Sequence, residues 1–126
     1  MKISEFQKTI FDALNLIFDQ YNQEINIHIN LPQTPIFPLI KISSIAKIPS
    51  LILNQEKFEL NMQILNNTKD NSIITEIVEF LQFELKELLN QNEKFISIDE
   101  DIVKIHDNFN DKIWTGEYSL IMTLRL

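Results

Sequence analysis

Apolar residues near the start of the chain fall at helical spacing. Phe6, Ile10, Leu14, Ile17 and Tyr21 recur at three- and four-residue intervals, and Phe11 and Phe18 widen the stripe. Ser4 followed by Gln7 has the form of a capping box, in which a hydroxyl and an amide satisfy free N–H groups at a helix start. The spacing predicts a helix over about 4–21. The period then drops to two. Ile25, Ile27, Ile29 and Leu31 alternate with Asn26, His28 and Asn30, the pattern of a half-buried strand, and Pro32 and Pro35 end it. A second strand is expected over 36–42, where Pro38 places it at a sheet edge or at the start of pairing, because proline has no N–H to donate.

The stretch 46–54 is apolar yet carries Pro49, and it reads either as a long apolar loop or as a short extra strand. Phe58, Leu60, Met62 and Ile64 alternate with Glu59, Asn61 and Gln63 in the clearest strand pattern of the chain. A polar connector over 66–71 leads to Ser72, with Glu76 near the first turn, as suits a helix start. Ile74, Ile77, Val78, Leu81, Leu85, Leu88 and Leu89 then form one helical stripe with Phe80 beside it, predicting a helix over about 72–91. Val103 and Ile105 alternate with Lys104 and His106, a turn is expected over 107–111, and Tyr118, Leu120, Met122, Leu124 and Leu126 alternate to the end. The order is α-β-β-β-α-β-β. A mostly antiparallel sheet with both helices packed on its apolar face is the economical α+β solution.

Length and composition fit a single domain over 1–126. A chain of 126 residues with 44% hydrophobic content can bury roughly two-thirds of its unfolded surface, enough for one core. It has no cysteine, which removes thiol catalysis and thiolate metal sites. Its single glycine, Gly116, removes the phosphate-cradling and dinucleotide-binding loops, which need several. The net charge is −7 and Arg125 is the one arginine, so sequence-specific nucleic-acid binding is not expected. The N-terminal residues are polar, and no apolar run approaches the ~20 residues that span a bilayer, so a soluble cytoplasmic protein with no membrane partner is expected.

Candidate chemistry is sparse. His28 and His106 fall on the polar faces of their strands beside Asn26 and Lys104, and two histidines lack the three or four clustered ligands of a zinc site. Asp99, Glu100 and Asp101 form an acidic run. The 107–111 segment has the beginnings of a calcium loop, but Phe109 stands at the third ligand position and Lys112 where the turn glycine belongs. None of the serines sits in a nucleophile-elbow context. No catalytic, cofactor-binding or metal-binding residue is assigned, and no cofactor is expected. The apolar segment with Ile48, Leu51, Ile52 and Leu53 stands apart: it either folds down over the core or buries itself in a neighbouring subunit. Trp114, beside a turn, is equally a core residue or a partner contact.

Several of these features occur together, in order. An N-terminal helix is followed by a proline and an apolar strand, Pro35-Ile36-Phe37-Pro38-Leu39-Ile40-Lys41-Ile42. A regular alternating strand from Phe58 to Leu65 leads into a long helix. An acidic turn, the stretch Trp114-Thr115-Gly116-Glu117-Tyr118 and a final apolar strand close the chain. In this order the sequence resembles the tail-terminator, or tail-completion, family of long-tailed bacteriophages and gene-transfer agents. The resemblance implies a six-subunit ring that caps the tail tube, stops its growth and prepares the joint with the head. Its implied partners are copies of itself and the tail-tube and head-joining proteins, within a virion or phage-like particle. Such a ring needs two different patches on each subunit. The 48–53 segment supplies one, and the polar sheet face with Asn26, His28, Lys104 and His106 the other. Two further readings remain open: a small acidic immunity or inhibitor protein steered to a basic toxin or nuclease, and a small enzyme with a carboxylate-lined pocket.

Overall fold

The periodicities become two helices on one side of a five-stranded sheet in the computed structural model, which describes residues 1–108 and 112–126. Among the described residues, the elements are α1 (Ile3–Phe18), β1 (Asn26–His28), β2 (Leu39–Ile48), β3 (Gln55–Asn66), α2 (Ser72–Asn90), β4 (Phe95–Asn108) and β5 (Ile113–Arg125). The sheet runs β1-β2-β3-β5-β4. β1 pairs with β2 in parallel, and the other neighbours are antiparallel. This is the α+β order that the patterning predicts.

One core joins the helices to one face of the sheet. Along β3, Glu56, Phe58, Leu60, Met62, Ile64 and Asn66 point inward and are buried, while their neighbours stay half-exposed on the open face. Opposite them in β5 stand Leu124, Met122, Leu120, Tyr118, Gly116 and Trp114. Helix α1 contributes Phe6, Ile10, Leu14 and Phe18, and α2 contributes Ile74, Ile77, Val78, Leu81, Leu85 and Leu89. Phe6 stacks on Phe58 with centroids 4.3 Å apart. At about 1.5–3 kcal/mol for each fully buried large apolar side chain, this layer is the principal stabilising element of the fold.

Gly116 lies beneath the first half of α2. A Cβ there would stand 2.9 Å from Ile74 Cγ2 and 3.3 Å from Val78 Cγ2. The lone glycine is therefore a packing requirement, met by two helix side chains seated over bare backbone.

Element boundaries depart from the periodic reading at five places. α1 starts at Ile3 and ends at Phe18, without a side-chain cap from Ser4 or Gln7. Tyr21 lies beyond the helix but still packs edge-on against Phe18 and Phe80. β1 holds only three residues, leaving Ile29 and Leu31 exposed. Its last paired residue faces Lys41, just short of the extra residue at Ser43 that bulges β2. β2 begins after Pro38, as the missing N–H requires, and runs on to Ile48. Thus 46–48 is strand and 49–54 is the hairpin tip, with Asn54 in the left-handed region at φ 65°. β4 begins at Phe95, well before the alternation at Val103. The expected turn over 107–111 and its calcium-loop pattern fall in part on 109–111, outside the described residues.

Candidate interaction surface

The β2–β3 hairpin carries Ile48, Leu51, Ile52 and Leu53 to one end of the sheet. The last rung of the hairpin pairs Ile48 with Lys57, and β3 pairs with β5 as far as Gln55 and Arg125. Beyond these rungs, 49–53 has no cross-strand partner among the described residues. Leu51 is fully exposed, Leu53 is 89% exposed and Ile52 is 59% exposed. Ile48 is half-buried. The segment therefore does not fold down over the core. Its shape is held from within: Ser50 Oγ accepts from the Ile52 N–H at 3.3 Å. Leu126, 75% exposed, joins the same end, because its N–H donates to the Asn54 carbonyl at 2.9 Å. In the sequence Leu126 continues the alternation of Tyr118, Leu120, Met122 and Leu124, but β5 ends at Arg125.

Behind the tip, the inward face is closed by charge. The Glu56 carboxylate, almost wholly buried, accepts from the Met1 amino group and lies 3.4 Å from Lys47 Nζ. Burial by itself pushes this carboxyl up, but the hydrogen bonds and charges of Met1 and Lys47 outweigh it and hold the group below its ordinary value. Lys47 also stands 5.7 Å over the Phe58 ring. Beside this cluster a cleft of about 420 Å³ is lined by Glu5, Glu93, Lys94, Arg125 and Leu126.

Trp114 is not part of the tip. It is the second residue of β5, at the other end of the sheet, one full β3 strand away, roughly 35 Å at about 3.3 Å per residue. There it packs at the margin of the core and donates Nε1–H to the Lys69 carbonyl at 3.4 Å. The two sets of candidate residues mark opposite ends of the domain.

The open face of the sheet carries Asn26 and His28 at one edge and Lys104 and His106 at the other. Four strand spacings of about 4.8 Å separate the edges, so the two histidines stand roughly 19 Å apart and do not meet at a site. Between them a row of hydrogen bonds crosses three strands: Ser119 Oγ donates to Asn61 Oδ1 at 2.5 Å, and Asn61 Nδ2 donates to Ser44 Oγ at 2.8 Å. His106 is 3.8 Å from Glu117.

The acidic run on β4 divides between faces. Glu100 turns inward, where Lys86 donates to it at 2.8 Å and Tyr118 at 3.0 Å, while Asp99 lies opposite Ile121 on the open face. Lys86 foremost, with Tyr118 and Gln82, holds the Glu100 carboxyl below its ordinary value against the opposing effect of burial. Burial and Glu100 push the Tyr118 hydroxyl well up. Among the described residues, no three His, Cys, Asp or Glu side chains converge where a metal ion could sit. Among the same residues, no helix is long and apolar enough to cross a membrane.

A mixed-sheet α+β domain with one projecting apolar hairpin is what fold and surface together define. In comparison with known proteins, no family model matches the chain, and no curated protein matches it.

Proposed function

We propose that this protein is an assembly subunit of the tail-terminator kind, forming a ring of six that caps a tail tube and completes the tail for head joining. It acts by surface complementarity and carries out no chemistry. The observation that supports this most is the hairpin tip. Monomers seldom leave three consecutive large apolar side chains in water at the end of a rigid strand pair.

Magnitudes indicate that the tip does not act alone. Burying Leu51, Ile52 and Leu53 against a neighbour is worth roughly 5–9 kcal/mol, of the same order as the cost of associating two proteins. A second patch on the receiving subunit is required, and the open sheet face offers it. Two unlike patches make a head-to-tail contact, which closes into a ring when the rotation permits.

Sedimentation velocity on the wild type and on Leu51→Asp/Leu53→Asp tests the reading. The exposed tip carries no core packing, so the double variant should keep its thermal midpoint while losing assembly. Equal assembly by both proteins would remove the hairpin from the interface. A monomer that binds a basic protein one-to-one, with affinity falling steeply as salt rises, would favour the acidic-inhibitor reading instead.

A further inference from the structure

Away from the open sheet face, the helix layer leaves a groove of mixed character. The C-terminal halves of α1 and α2 lie side by side around a groove of about 520 Å³. Leu16 and Ile17 from α1 and Phe83 and Leu88 from α2 share its lining with Glu84, Glu87 and two glutamines. Leu16 is 61% exposed and Phe83 65%. Neither continues the buried stripe of its helix, so core packing does not explain them.

Charge around the groove has one sign. No Lys or Arg lines it. The single lysine of α1, Lys8, is paired with Asp12 at 2.8 Å, and the single lysine of α2, Lys86, is paired with Glu100 at 2.8 Å. Both helices end toward the groove, and neither carries a basic residue in its last turn. The partial negative charge of two helix C-termini therefore adds to Glu84 and Glu87 with no cation to offset it.

We infer that this groove docks a basic amphipathic helix belonging to a partner protein. Two adjacent helices present ridges and a channel that a third helix fills, with its apolar face over Leu16 and Phe83. Lysines or arginines flanking that face would meet Glu84, Glu87 and the helix ends. The site is on the helix side and shares no residue with the hairpin tip, so it stands independently of ring formation.

The test is a titration of the full chain, followed by amide NMR, with a synthetic Leu/Lys amphipathic helix about four turns long. Shifts are expected to concentrate at Leu16, Ile17, Phe83 and Leu88. Phe83→Asp, and separately Glu84→Lys/Glu87→Lys, should each weaken binding about tenfold or more, as loss of an interface anchor does. Both changes lie outside the core, and circular dichroism checks that the variants fold. The hairpin variant Leu51→Asp/Leu53→Asp should bind the peptide as the wild type does. Three results would overturn the inference. One is equal binding by a peptide of the same composition with its apolar face scrambled. Another is perturbation spread over the open sheet face, or none. The last is a free protein whose oligomer falls apart on Phe83→Asp while the peptide fails to bind, which would assign the groove to a second copy.

Discussion

Gly116 shows how one missing methyl group sets a helix position. Ile74 and Val78 occupy the space a Cβ would need, and both belong to the first half of α2. Gly116→Ala must push the helix outward or force those side chains from their rotamers, at a cost of roughly 1–3 kcal/mol. Thermal or urea unfolding should show that loss, with secondary-structure content unchanged. Two carboxylates make a second prediction at this scale. Glu56 and Glu100 are both held below their ordinary values in the fold. The unfolded chain therefore binds more protons as pH falls through the carboxylate range, and the stability these groups contribute is present above about pH 4.3 and lost below it. The thermal midpoint should drop between about pH 5 and pH 3. Glu100→Gln should be less stable at neutral pH and show a shallower acid drop; parallel pH profiles for the two proteins would contradict the assignment.

At the scale of elements, the sequence was legible wherever a strand or helix kept an undisturbed period. β3 alternates without a break over its whole length, and α2 keeps a single stripe, so both are found where the pattern places them. β4 is the contrary case. Register shifts between Phe95 and Ser97 and between Glu100 and Ile102 insert an extra residue at each place. Inward positions then run Phe95, Ile98, Glu100, Val103, Ile105, a spacing of three, two, three, two that no simple period reveals. β1 fails differently: four alternating apolar residues are present, but pairing uses only three positions, because the parallel partner bulges beyond them. Deleting Asp99, which separates the inward Ile98 and Glu100 where there is no bulge, would shift the residues before it by one and put Ile98 on the open face. The expected outcome is loss of cooperative unfolding; a variant with wild-type stability would show that β4 tolerates either register. The candidate site was partly legible too. The apolar residues of the hairpin tip were visible in the sequence, but their projection beyond the last rung depends on β2 running on to Ile48, which Pro49 and the preceding polar residues obscured. Trp114 was visible as an aromatic, not as a residue on the far end of the sheet.

As a whole molecule, the protein presents surfaces of different character. The hairpin end is apolar, with Leu51, Ile52, Leu53 and Leu126 grouped by the pairing of strand ends. The open sheet face is polar and crossed by the Ser44–Asn61–Ser119 row. The helix side is acidic around the groove that holds the exposed Leu16 and Phe83. A net charge of −7 keeps free subunits apart at low salt, so added salt should strengthen self-association driven by the apolar tip and weaken any association driven by opposite charge. That opposition separates ring assembly from electrostatic capture of a basic partner. Native mass spectrometry of the purified protein, across a series of concentrations and volatile-salt strengths, reads it directly. The account predicts a closed oligomer of six subunits that grows in with concentration and persists as salt rises. A protein that remains a monomer at every concentration and salt strength would contradict the claim that the hairpin drives self-assembly.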